Sequence, residues 1–168
     1  MDQDQALFLV KFFCHEIEQE LQTTKKVIQA VPDDKNDYRP DPKAKTAFEL
    51  AWHIASSDVW FINSITAGSF NLENKSIPAE IKTSAAIVNW YDENLVAAIN
   101  RVKTLNAEKA AQKINFFDFA NLPAAVYLGW MIKHSVHHRG QLSTYLRPMG
   151  SRIPSIYGGS ADEPLGVA

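Results

Sequence analysis

The chain has 168 residues, a formal charge of −2 and 46% hydrophobic residues, enough for one domain with a real core and without the basic patch that nucleic acid demands. Its one cysteine, Cys14, excludes an intrachain disulfide and fits a reducing cytosol. The N-terminal Met1-Asp2-Gln3-Asp4-Gln5 has no basic leader region, and the longest apolar run, roughly Leu122 to Ile132, is about half a membrane span and carries a proline. The expectation is a cytoplasmic protein with no nucleic-acid or membrane partner.

A first helix is predicted from about Gln5 to Ala30, where Leu7, Val10, Phe13 (or Cys14), Ile17, Leu21 and Ile28 recur at helical spacing. Val31-Pro32-Asp33-Asp34 stops it, and the proline-containing polar stretch from Asn36 to Lys45 predicts a loop. A second helix starts near Thr46, which has capping-box spacing to Glu49, and runs through His53 and Trp60 to Ala67 before Gly68. Asn71 to Ala79 is a loop. A third helix spans about Glu80 to Lys103, with Ile87, Tyr91, Leu95 and Ile99 on one side. A short helical piece is placed near Ala107 to Gln112. The aromatic stretch Ile114 to Phe119 is either irregular or extended. Asn121 is a candidate N-cap for the last long helix, with Pro123 in its first turn and Pro148 and Gly150 beyond its end near Arg147. From Ser151 the chain should be mostly coil. Four long helices without a convincing strand pattern predict an all-α four-helix bundle, one domain over residues 1–168 with its ordered core at about 5–150.

Three of the five histidines lie within His134-Ser135-Val136-His137-His138. On a helix, His134 and His138 share a face one turn apart and can hold one metal ion. With His134 at zero and about 100° per residue, His138 falls at about 40°, Gln141 at about −20° and Tyr145 at about 20°. That face is otherwise apolar and aromatic, so it should be buried. Arg139 points almost the opposite way, toward solvent or a partner subunit. His137, at about −60°, is a rival ligand on the flank. His53 shares its own helix face with Thr46, Leu50, Ser57, Trp60 and Ser64, with Glu49 one turn before it. It offers a third imidazole, leaving an open position for water or substrate. Each histidine alone is also compatible with an ordinary hydrogen-bonded core residue. Ser135 stands where HExxH requires glutamate, which argues against a zinc protease. Three imidazoles without thiolate suit Zn²⁺, Ni²⁺, Co²⁺ or Fe²⁺. Cys14 and His15 read as a core residue and a flank residue. Trp60, Trp130 and Met131 are candidate walls of the metal pocket.

The stretch from His134 to Gly150, H-x-x-x-H-R-G-Q-L…L-R…G, resembles the C-terminal signature of the DinB family, in the DinB/YfiT-like superfamily. Asp37-Tyr38-Arg39-Pro40, Glu49-Leu50-Ala51-Trp52-His53-Ile54-Ala55, Leu122-Pro123 and Trp130-Met131-Ile132-Lys133 are similar to the family's central region and the approach to its last helix, so the resemblance covers about residues 5–158. It implies an up-down-down-up four-helix bundle, frequent homodimers, and a divalent metal on three histidines that match His53, His134 and His138. Zinc or nickel is the expected ion. Characterised relatives include thiol-dependent transferases and isomerases, and many members are described only as metal-dependent hydrolases. The leading expectation is therefore a low-molecular-weight thiol S-transferase, with a small thiol and an electrophile as partners. The alternatives are a metal-dependent hydrolase and a non-catalytic, metal-binding dimeric bundle. Gln141 and Glu49 would orient the ligands by hydrogen bonds. His137 and Tyr145 are proton-shuttle candidates by proximity alone.

Overall fold

The computed structural model describes residues 1–72 and 76–165. Residues 73–75 of the loop expected at Asn71–Ala79, and the last three residues of the tail, lie outside the described residues. The elements are α1 (Gln3–Gln29), a 3-10 turn (Asp33–Lys35), α2 (Ala47–Ala67), α3 (Ser84–Val102), a short α4 (Ala107–Ala111), the strands β1 (Lys113–Phe116) and β2 (Ala120–Pro123), and α5 (Ala124–Leu146). The described residues are thus mostly helical, with five α-helices and one hairpin. No helix among the described residues is long and apolar enough to cross a membrane.

Local chemistry sets most boundaries. Asp2 and Gln5 form a capping box at the start of α1, and Thr46 and Glu49 form one at the start of α2. Gly68 ends α2 at φ 78°, a left-handed conformation that glycine adopts without steric cost. The third helix starts later than its periodicity suggests. Thr83, not the Glu80 region, is the cap, because its side chain accepts the Ala86 N–H at 3.1 Å.

The aromatic stretch resolves as an antiparallel hairpin with Phe116 opposite Ala120 and Lys113 opposite Pro123. Phe117 and Asp118 take positive φ values of 50° and 59°. The Asn115 carboxamide holds this turn by accepting the Asp118 N–H at 2.9 Å and donating to its carboxylate at 2.8 Å. Asn121, expected as a helix cap, lies inside β2. The cap position of α5 falls on Pro123, which makes no side-chain cap bond. Strand pairing has claimed the segment that a capping rule alone would assign to the helix. Tyr127 then ties the hairpin to α5, its hydroxyl donating to the Ile114 carbonyl at 2.8 Å and accepting the Leu122 N–H at 3.2 Å.

Helix α2 packs on α3 and α5, and α1 packs on α3 and α5. The core between them takes Ala6, Val10, Cys14, Ile17 and Leu21 from α1, so Cys14 rather than Phe13 fills that turn of the stripe. Almost the whole circumference of α2 is buried from Leu50 to Ile62. Close approach of α1 and α5 depends on Gly129, where a Cβ would come within 2.9 Å of Phe13 Cζ.

Two buried polar networks fasten these helices. Asp58 on α2 is fully buried and accepts the Tyr91 hydroxyl of α3 at 2.6 Å and the Ser135 hydroxyl of α5 at 2.8 Å. Burial first, then the Asp58 charge, holds the Tyr91 pKa well above the usual phenol value, so Tyr91 stays a donor. The second network overturns the outward placement of Arg139. Its side chain is 1% exposed and pairs with Glu20 of α1 at 2.5 Å. It also donates to Thr24 at 3.0 Å and to the Tyr157 hydroxyl of the tail. The wheel misplaces Arg139 because α5 is buried on two sides, by α2 and by α1, rather than on one.

Arg139→Ala should cost about 3–5 kcal/mol, since it strands the Glu20 carboxylate without its partner. Urea denaturation checks this, and a loss below about 1 kcal/mol, the value of an exposed pair, contradicts it. Burial raises the Cys14 thiol to about 11, with Glu18 adding to the rise and Lys103 opposing it. A free thiol titrates near about 8.5. The stability tied to the protonated thiol is therefore complete below that pH and is lost as pH climbs toward the folded value. At pH 8.5, alkylation of native Cys14 should be about two orders of magnitude slower than in urea; equal rates would show an accessible thiol.

Candidate metal centre

The helical spacing of His134 and His138 on α5, and the packing of α5 against α2, bring both rings to His53. The ring centroids lie 4.5 Å apart for His134–His138, 4.6 Å for His53–His138 and 5.0 Å for His53–His134. One ligand atom from each of the three lies within 4.8 Å of the others, a set that could hold a metal ion. All three are half-buried.

The hydrogen bonds around the rings favour ligation through Nε2 at His138 and are compatible with it at His53. Gln141 Oε1 lies 3.0 Å from His138 Nδ1. A carboxamide oxygen only accepts, so Nδ1 carries the proton and Nε2 a lone pair. Ser57 Oγ lies 3.3 Å from His53 Nδ1 and can stabilise the matching tautomer there. The two Nε2 atoms are 3.2 Å apart. A tetrahedral ion with bonds of about 2.0–2.1 Å sets its ligand nitrogens about 3.3 Å apart, so the donor set fits a divalent ion. Burial leads the causes that lower the His138 pKa; the Gln141 bond opposes it, and the charges of His137 and Lys45 lower it further. The net shift favours the neutral imidazole, the form that binds metal.

The other predicted residues separate by role. His137 is exposed, with its ring 4.8 Å from that of His138, and it is not in the converging set. Tyr145 is buried and reaches the site through Gln141, whose Nε2 donates to it at 3.4 Å. Glu49 commits Oε2 to the Thr46 N–H at 2.7 Å, yet it also lines a cavity of about 280 Å³ together with Lys45, Trp52, His53, Ser56 and Ile77. The aromatic walls differ from those expected. Phe61 faces His134, with centroids 5.8 Å apart, and Trp52 lines the His53 cavity. Trp60 packs among Phe61, Phe70 and Phe116, and Trp130 lines a groove with α1. Sequence reasoning missed Asp58, Ser56 and Lys45. Asp58 was detectable in principle, as the second of only two charged residues in the apolar α2.

The sequence profile of the DinB family matches residues 3–164. The chain belongs to the DinB family. It is 28% identical to the protein YrdA of Bacillus subtilis over 146 residues, which cover 86% of this chain and 85% of YrdA. It is 25% identical to YjoA of the same organism over 128 residues, 76% of this chain and 82% of YjoA. The fold is similar to the crystal structure of a DinB-like protein from Bacillus cereus, with a TM-score of 0.72, 25% identity, and coverage of 86% of this chain and 95% of that one. It is also similar to the crystal structure of YjoA, with a TM-score of 0.68, 22% identity, and coverage of 88% and 96%.

After loading with Zn²⁺ or Ni²⁺ and gel filtration, His53→Ala, His134→Ala and His138→Ala should each lower bound metal at least about tenfold, the scale of losing a ligand or its orienting partner. His137→Ala should keep most of it. Elemental analysis decides, and a variant pattern with His137 essential and His138 dispensable would reject this ligand set.

Proposed function

We propose that the protein is a single-domain DinB/YfiT-like four-helix bundle of up-down-down-up connectivity. In this reading it acts as a metal-dependent enzyme that transfers a low-molecular-weight thiol to a soft electrophile. The observation that carries the reading is the convergence of three imidazoles beside a cavity large enough for a small substrate.

A divalent ion held there, zinc or nickel, would lower the pKa of a bound thiol so that thiolate forms at neutral pH. His53, His134 and His138 would hold it through neutral nitrogens. Gln141 fixes the His138 ring and Ser57 the His53 ring, so the donors need little reorganisation. Trp52 and Ile77 give the adjoining cavity apolar walls that seat the electrophile and thin out water. In the overall reaction, R–SH + R′–X gives R–S–R′ + HX. The S–H and C–X bonds break, an S–C bond forms, and the proton leaves with X⁻, with no net oxidation. In this reading His137, exposed and in ring contact with His138, would pass that proton to solvent, and Tyr145 would act through Gln141.

The same reading makes the protein a cytoplasmic homodimer. Phe8 and Phe12 of α1 are 64% and 47% exposed. Beside them, Leu9, Phe12, Phe13 and Trp130 line an apolar groove edged by Glu16 and Lys133. A two-fold axis across this face would bury these apolar side chains in both copies, since an isologous interface uses the same patch on each subunit.

The test is a panel of glutathione, bacillithiol, mycothiol and cysteine with a soft electrophile. Metal-loaded protein should accelerate at least one pair. Chelation should abolish the acceleration, and restored Zn²⁺ or Ni²⁺ should return it. Metal-dependent ester or amide hydrolysis without thiol stimulation would replace this reading with a hydrolase.

A further inference from the structure

Among the polar groups that line the cavity beside His53, Ser56 and Lys45 have no role in the metal site. Ser56 lines it one turn beyond Trp52 on α2. Ser56 is 7% exposed, and its hydroxyl has no hydrogen-bond partner among the described residues. A buried hydroxyl in that condition is uncommon and calls for an explanation such as an absent ligand. Lys45 lines the same cavity. It lies just before the capped start of α2, is exposed, and forms no ion pair among the described residues. The other charged group on the wall, the exposed Glu49, engages one carboxylate oxygen with the Thr46 N–H at 2.7 Å, and among the described residues it forms no ion pair with Lys45. One cation, one carboxylate already bonded to the α2 cap, and the hydroxyls of Ser56 and Ser76 thus line a cavity whose apolar walls include Trp52 and Ile77.

We propose that this cavity binds a carboxylate group of the substrate, with Lys45 supplying the charge and Ser56 a buried hydrogen bond, and that it thereby selects anionic over neutral substrates. The proposal rests on the thiol-transfer reading only for which molecule carries the carboxylate, the thiol or the electrophile. Recognition itself needs no reaction. A carboxylate is the fitting anion because it accepts from an ammonium and a hydroxyl at once, with short, charge-assisted bonds. The adjacent apolar walls accommodate the carbon chain between that carboxylate and the reacting atom.

Isothermal titration of the zinc-loaded protein with matched pairs tests this. Succinate against succinamide reads the anion site without thiol or electrophile. The pair 3-mercaptopropionate and 3-mercaptopropionamide probes the thiol, and acrylate against acrylamide probes the electrophile. The acid should bind at least about tenfold tighter than its amide in the succinate pair and in one of the other two. Lys45→Met should bring that ratio to within about twofold of unity, and Ser56→Ala should lower it severalfold. Both variants should retain most of their bound zinc, as neither residue belongs to the ligand set. Equal binding of acid and amide in all three pairs overturns the proposal, as does a preference that survives Lys45→Met. Anion preference without thiol transfer would sink the transfer reading alone. Transfer without anion preference would sink this proposal alone.

Discussion

One buried carboxylate sets the relative positions of three helices. Asp58 has no access to water, and both Tyr91 and Ser135 donate to the same oxygen. A carboxyl group withdrawn from solvent is tolerable only with such partners in place. That requirement fixes α2 against α3 and α5 more sharply than apolar contacts alone can, because hydrogen bonds fail within a few tenths of an ångström whereas Leu and Ile contacts slide. Ser135 directly follows His134, and Asp58 lies five residues after His53. The spacing of α2 and α5 at the histidines is therefore set close by, by a polar contact of two short side chains.

Arg139 does the corresponding work on the other side of α5. Its guanidinium reaches Glu20 and Thr24 of α1 and Tyr157 of the tail. The tail beyond Gly150 has no helix or strand among its described residues, yet it is not loose chain. Ser151 donates to the Ala30 carbonyl at 2.6 Å, and Asp162 accepts the Ile153 N–H at 2.8 Å. The H-x-x-x-H-R motif thus serves two opposite faces at once, with histidines toward α2 and arginine toward α1. Its glycine, Gly140, has open space around it, and no packing contact explains it.

Local chemistry made much of this legible in the sequence. Thr46 with Glu49, Gly68, and the apolar stripe of α1 each state a helix end or a buried face through interactions within four residues. The convergence of His53 with His134 and His138 was legible because each lies on the apolar face of a strongly helical segment. What escaped depends on contacts distant in the chain. The hairpin at 113–123 exists because β1 and β2 satisfy each other, and the helix-capping pattern at Asn121 carries no trace of that competition. Arg139 looked solvent-facing because a single-helix wheel assumes one buried side. Its partner lies 119 residues earlier in α1. Lys45 and Ser56 are ordinary surface and helix residues until folding lines one cavity with both.

These observations bear on whether the ion or the protein shapes the site. In small metal-dependent domains the ligand bonds supply the folding energy, and the apo chain is unfolded. Here the orientation of His138 rests on Gln141 and that of His53 on Ser57. The helices that carry them are joined by the Asp58–Ser135 bond and a continuous apolar core. None of these contacts involves an ion. The fold therefore presents the His53 and His138 rings already oriented, with His134 one turn from His138 on the same helix, which lowers the ordering cost of binding a divalent cation. A site held by its surroundings can also tolerate exchange at the fourth position, since replacing one outer ligand by another leaves the three imidazoles where Asp58, Ser57 and Gln141 keep them. That property would suit the substrate-accepting centre proposed above, and it follows from the polar contacts around the histidines rather than from the histidines themselves.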